Sequence, residues 1–169
     1  MNMVLRSTRL SDLDFVLALE SKAENKRFII PWEKEKHERS LHDGDIAHLI
    51  MEDQQLNRPV GFCILAGLDN PNKSIELMRI VVEDKGKGLG RKALQFLKKW
   101  VFEECGANRL WLDVKVDNLR AKSLYESEGF SLEGTLRECL INGDKFESLC
   151  IMSILKSEYG SGRDEDQNR

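Results

Sequence analysis

The hydrophobic positions of this chain keep two different periods, and each change of period marks the end of an element. Alternation by two, or a short β-branched run, marks strands at Met3 to Arg6, Ala47 to Met51, Val60 to Ala66, Ile75 to Val82 and Arg109 to Val116. Asn57-Arg58-Pro59 supplies the turn before the third of these. The helical period appears first at Leu13, Val16, Leu17 and Leu19, after Ser11-Asp12-Leu13-Asp14, which approximates a capping box, and predicts a helix to about Ala23. It returns at Leu89, Ala93, Leu94, Leu97, Trp100 and Val101, with Arg91, Lys92, Gln95, Lys98 and Lys99 on the opposite face. Between these lie an apolar connector, Phe28 to Trp32, and a short charged helix, Glu33 to Leu41. A further helix contains Tyr125, and Phe130 to Cys139 with Lys145 to Leu155 reads as a hairpin across Asn142-Gly143-Asp144. The order is β-α-α-β-β-β-α-β-α-β-β, with no internal repeat. It predicts one α/β domain over residues 1–158 and a polar tail over 159–169 that lacks the apolar residues to pack.

One junction carries chemistry. The strand ending at Val82 runs through Glu83-Asp84 into Lys85-Gly86-Lys87-Gly88-Leu89-Gly90-Arg91, which opens a helix. A helix N-terminus bears partial positive charge and favours carboxylates, yet Lys85, Lys87, Arg91 and Lys92 crowd this one. Such crowding makes sense if a polyanion sits on the exposed amides, with glycines allowing close approach. A flexible turn beside a solvated basic face is the plainer alternative. A P-loop is excluded because no Ser or Thr follows the glycines, and a Rossmann fingerprint because Arg91 occupies the third glycine's place.

Composition limits the class. With 41% hydrophobic and 33% charged residues among 169, the chain suits a soluble globular fold, and a net charge of −3 argues against general nucleic-acid binding. No apolar run reaches the length of a membrane span, and Met1 to Ser11 lacks a signal-peptide core, so no membrane partner and a cytoplasmic location are expected. Cys63, Cys105, Cys139 and Cys150 form no C-x-x-C pair and read as reduced thiols. His37, His42 and His48 match no helical metal pair, so no metal is expected.

Lys85 to Gly90 resembles the acyl-CoA-binding motif of the GCN5-related N-acetyltransferases, Arg/Gln-x-x-Gly-x-Gly/Ala, with lysine in the first position. Asn118-Leu119-Arg120-Ala121-Lys122-Ser123-Leu124-Tyr125 through Gly129-Phe130 resembles the same family's Asn-x-x-Ala-x-x-Leu-Tyr-x-x-x-Gly-Phe signature. The resemblance spans residues 4 to 158 and is sharpest from Glu76 to Phe130. It implies a mixed, mostly antiparallel sheet flanked by helices, with a splayed pair of parallel strands between which acetyl-CoA enters as co-substrate. The pantetheine arm would pair with backbone of Ile80, Val81 and Val82. The pyrophosphate would lie on the loop Lys85, Gly86, Lys87, Gly88, Leu89, Gly90 and Arg91, with Asn118 and Lys122 also at the CoA. Only two residues separate Val82 from Lys85, fewer than in many relatives.

The implied reaction is direct acetyl transfer to a primary amine, of a small molecule or of a protein or peptide. An alkyl ammonium, with a pKa near ~10.4, must first lose a proton. Glu76 is the candidate base: period two puts it on the face of Met78, Ile80 and Val82, where desolvation raises a carboxyl pKa. A structural glutamate at the strand's solvent end is the alternative, and Glu33 the reserve. By the family signature Tyr125 is the acid that protonates the departing thiolate; packing in the core is its alternative. Asn118 can also cap its helix. The C-terminal part, Glu133 to Leu155, resembles the branch of ribosomal-protein and polyamine acetyltransferases. A silent acyl-CoA-binding sensor or interaction module, a nucleotide-binding α/β protein and a homodimer are further possibilities.

Overall fold

The computed structural model describes residues 2–161. Strand β1, Met3–Ser7, leads through a 3-10 turn at Leu10–Asp12 into α1, Leu13–Ser21. The turn is closed by Asp12, whose carboxylate accepts from the Arg9 amide at 2.8 Å while Arg6 holds it at 2.7 Å, so the expected capping role of Ser11 passes to Asp12. The first helix stops short of Ala23, because Lys22 leaves helical geometry at ψ 131°, and the single turn α2, Ala23–Lys26, follows. Next come α3, Lys34–Ser40, β2, Ile46–Asp53, β3, Arg58–Ala66, and β4, Ser74–Val82. Helix α4, Leu89–Lys99, continues as a π turn over Trp100–Glu104 and precedes β5, Arg109–Lys115, and α5, Leu119–Ser127. The hairpin β6, Ser131–Asn142, and β7, Lys145–Leu155, pairs Asn142 with Lys145 across a two-residue turn. Gly143 there has φ +61°, the positive value that tight hairpin turns demand. Residues 156–161 form a last helix, α6, whose Tyr159 ring stacks on Phe102 at 5.1 Å between centroids. Part of the expected tail is therefore packed, and residues 162–169 lie outside those described.

Among the described residues the seven strands form one sheet in the order β1-β2-β3-β4-β5-β7-β6. Neighbours run antiparallel except β4 and β5, as the expected mixed sheet requires. Helices α4 and α5 cover one face with the larger core, including Leu77, Leu94, Leu97, Leu110 and Leu112. Helix α1 covers the other through Val16 and Leu19 on Ile50, Phe62, Ile64 and Val81. Burying two apolar layers on one sheet fixes strand register, since a slip of one residue would exchange the faces.

Of the register shifts in the sheet, one bears on the cleft. β4 pairs Leu77 with Leu65 and then Arg79 with Ile64, so Met78 is the extra residue of a bulge. Ile75 and Leu77 face α4 before the bulge, and Ile80 and Val82 face it afterwards. The expectation that Glu76 shares a face with Ile80 and Val82 is corrected: Glu76 lies on the α1 face, with Arg79 and Val81.

Candidate active site

β4 and β5 pair only over Ser74–Glu76 and Arg109–Trp111, and beyond those residues they diverge. The gap opens into a cleft of about 1280 Å³ that crosses the sheet from the start of α4 to the segment before α3. Its unpaired strand edges leave backbone groups available to an extended ligand.

At the α4 end the ligand groups are mostly backbone. Gly86 and Gly88 have φ of +88° and +75°, and Gly88 is the residue that caps α4. The first turn bond runs from the Lys92 amide to the Gly88 carbonyl at 3.1 Å, so the amides of Leu89, Gly90 and Arg91 have no partner within the helix. A side chain at Gly88 would meet nothing within 4 Å, which leaves this surface open to a ligand. The cations divide. Lys87 pairs with Asp84 at 2.7 Å, Arg91 with Glu128 and with Ser127 Oγ at 3.0 Å, and Lys85 donates to the Glu24 carbonyl at 3.3 Å. Arg120, which the sequence reading did not single out, lies over the turn, its Nη2 3.6 Å from where a Gly86 Cβ would stand. Asn118 caps α5, accepting from the Ala121 amide at 3.2 Å, and also lines the cleft.

In the middle stands Tyr125. Its ring is buried against Phe130, at 5.7 Å between centroids, while the residue still lines the cleft, and its hydroxyl has no hydrogen-bond partner among the described residues. Burial, and then the negative charge of Asp113, push its pKa up, so it stays a protonated donor across the neutral range. Asp113 lies between Leu112 and Val114, both in the α4-side core, and so projects to the α1 side of β5. It is open to solvent yet set in the cleft wall, where desolvation raises its pKa. Glu76, registered opposite Trp111, shares that face; desolvation and then Asp113 raise its pKa too.

The far end is apolar with scattered charge. Phe28, Ile29, Ile30, Pro31 and Trp32 wall it, and Glu33 lies at its rim. Neither Glu33 nor Asp113 forms an ion pair with a cation among the described residues, whereas Arg79 is paired with Glu20 and Lys115 with Glu147. Lys36 spreads over the Trp32 ring at 4.1 Å.

The structure thus gathers Ile80, Val81, Val82, Lys85, Gly86, Gly88, Leu89, Gly90, Arg91, Asn118 and Tyr125 around one cleft, with Glu33 across it. Lys87, Lys122 and Glu76 do not line it; Glu76 stands behind Asp113. Asp113 and Arg120 were present in the motif-bearing strand and helix, and only their placement marks them. No group of three His, Cys, Asp or Glu among the described residues is placed to hold a metal, and no described helix is long and apolar enough to cross a membrane.

This geometry has close counterparts. Spermidine N(1)-acetyltransferase of Vibrio cholerae is 29% identical, over 93% of this chain and 95% of that protein. A putative [ribosomal protein bS18]-alanine N-acetyltransferase of Bacillus subtilis is 30% identical over 91% of this chain and 96% of its own. The crystal structure of the Vibrio cholerae spermidine N-acetyltransferase in complex with CoA and spermine superposes with a TM-score of 0.84 at 26% identity, covering 93% of this chain and 97% of that one. Residues 13–130 match the acetyltransferase (GNAT) family. A splayed parallel pair, a glycine turn at a helix N-terminus and a cleft tyrosine therefore have one reading: the chain belongs to the GNAT family of acetyltransferases and is an acetyl-CoA-dependent N-acetyltransferase.

Proposed function

We propose that the protein acetylates a primary amine of a small polyamine-like acceptor, by direct attack while both substrates occupy the cleft. The observation that carries this is the cleft's passage through the sheet. Its α4 side offers amides and glycines to a diphosphate, and its α1 side offers an apolar wall with Asp113 and Glu33 free of cations. An aliphatic amine matches the second wall as a diphosphate matches the first. The names of the spermidine acetyltransferase relatives point to the same acceptor class.

The proton path follows from the faces. Asp113, with Glu76 behind it, stands on the α1 side, where the acceptor approaches; Tyr125 belongs to the α4-side core. Asp113 takes a proton from the ammonium, with Glu76 sharing the charge of the pair. The C–N bond forms as the C–S bond breaks, the carbonyl oxygen is met by an amide of Val81 or Val82, the sulfur receives the Tyr125 proton, and the second proton shed by the acylated nitrogen returns to Tyr125 through solvent. Acetyl-CoA supplies the activated acyl group. The pyrophosphate rests on the amides from Gly86 to Arg91, with Arg120 beside it.

Thiol release with acetyl-CoA against spermidine, spermine, monoamines and lysine peptides tests the reading. Rapid release with the polyamines is expected; release with peptides alone would make the acceptor a protein, and binding of acetyl-CoA without release would make the protein a sensor.

A further inference from the structure

Two ion pairs that the transfer chemistry does not use reach the same stretch of chain from opposite lips of the cleft. From β4, Arg79 pairs with Glu20 of α1 and donates through Nη2 to the Ile30 carbonyl at 2.6 Å. From β5, Lys115 pairs with Glu147 of β7 at 2.6 Å and donates through Nζ to the Arg27 carbonyl at 3.1 Å. Glu20 is 1% exposed and also accepts from the Trp32 amide at 3.1 Å. Behind it, His37 Nε2 lies 3.2 Å from the Glu20 carboxylate, His37 Nδ1 meets His48 Nε2 at 3.0 Å, and His48 Nδ1 meets Thr8 Oγ1 at 2.8 Å. Glu20 is therefore fixed from the end of β1 to the cleft wall.

The held stretch is the one that needs holding. Residues 27–32 link one helical turn, α2, to α3, and a single turn has little stability of its own. Surface connections of this kind are mobile unless their polar groups are tied down. Here two carbonyls and one amide are tied to charged partners, which make the strongest hydrogen bonds. Both cations are neutralised by their own carboxylates, so they fix the wall without repelling a cationic acceptor.

We infer that Arg79 and Lys115 are positioning residues for the acceptor: from the two diverging strands they pin the segment Arg27–Trp32 across the gap, and so set the width of the amine-binding end. The inference rests on the acetyl-transfer reading above. Acceptor affinity and chain-length preference then depend on both pairs, and acetyl-CoA affinity on neither.

The test compares Lys115→Met, Lys115→Arg and Arg79→Gln. For Lys115→Met and Arg79→Gln, the acceptor KM should rise about tenfold, as expected for one lost charge-assisted bond, with kcat within about threefold. Preference among diamines of increasing length should flatten, acetyl-CoA Kd should hold, and hydrogen exchange at the amides of Phe28, Ile29, Ile30 and Trp32 should quicken. Lys115→Arg keeps a donor and should restore most of the KM. Glu147 is partly open to water and keeps the Asn142 amide on Oε1 at 3.0 Å, so although Lys115→Met takes the cation from its buried Oε2, the carboxylate stays partly solvated and the variant remains informative if Arg79→Gln fails to fold. Unchanged KM and exchange in folded variants, or acetyl-CoA affinity falling in step with KM, would overturn the inference. Absence of thiol release with every amine in the wild type would instead sink the acetyl-transfer reading, while exchange at these amides would still decide whether the pins exist.

Discussion

The two ends of the cleft are built from different material. The α4 end is backbone: glycines at positive φ, a helix N-terminus and strand edges, contributed by one contiguous stretch and the cap of α5. The acceptor end is side chain: Arg79 meets Glu20 across 59 residues of sequence, and Lys115 reaches Arg27 across 88. Backbone sites tolerate exchange of most side chains because the donors are amides, whereas the acceptor wall changes with any member of its ion pairs. A family can in this way keep one donor of acetyl groups while varying the acceptor.

The largest effect should come from between the two ends. Tyr125→Phe preserves the packing on Phe130 and deletes the donor, so kcat should fall by about 10²-fold or more with acetyl-CoA affinity and melting temperature nearly unchanged. Normal turnover, with chemistry shown to be rate-limiting, would reduce Tyr125 to a packing residue and leave the sulfur to solvent.

Asp113→Asn should cost about ten- to a hundredfold at neutral pH, and Glu76→Gln less, with partial recovery in alkaline buffer as the amine loses its proton unaided. Both carboxyls have folded pKa values raised by burial. The folded state therefore holds protons that the unfolded chain releases, and stability falls as pH rises from the ordinary carboxyl range through the raised values. Either substitution should accordingly raise the neutral melting temperature, by a few degrees, while lowering the rate. A destabilised Asp113→Asn would show the carboxylate to be structural.

Gly88→Ala tests the backbone end. The space is open, but φ +75° strains any side chain, so a small loss of melting temperature should accompany a roughly tenfold weaker acetyl-CoA affinity. Gly88→Asn, which tolerates that φ better, should lose affinity with less strain. Intact affinity in both variants would remove the amides of this turn from the binding site.

The smallest effect sharpens the comparison. Lys87 is paired with Asp84 and stands away from the cleft, so Lys87→Met should change acetyl-CoA affinity by less than about twofold. A larger loss would mean that the basic side chains, and not the amides, carry the pyrophosphate.

This difference in material also decides what the sequence disclosed. Strand and helix periods, the glycine turn, Asn118 and Tyr125 are local signals, so the fold could be read along the chain and the family resemblance from Glu76 to Phe130. The bulge at Met78 leaves no local trace: an extra residue in an apolar run looks like the run itself, and strict alternation sent Glu76 to the wrong face. His37 and His48 are eleven apart and match no metal pattern, yet they touch, because α3 packs over β2. Glu20 resembles any charged residue at the end of an amphipathic helix until Arg79, His37 and Trp32 close around it.

The bulge in β4 also bears on how this gene can drift. Met78 is 39% exposed and is the one residue of this stretch that the pairing with β3 does not count. Losing its codon would leave Leu77, Ile80 and Val82 in the layer beneath α4 and Arg79 and Val81 on the α1 side, because simple alternation through the shortened strand restores the same faces. The cost of such a deletion would fall on the cleft, whose wall Met78 helps to line, and not on the core. The strand is thus tolerant in length where its neighbours are strict, and a lineage could gain or lose this one residue as a way of reshaping the cleft without exchanging the two layers.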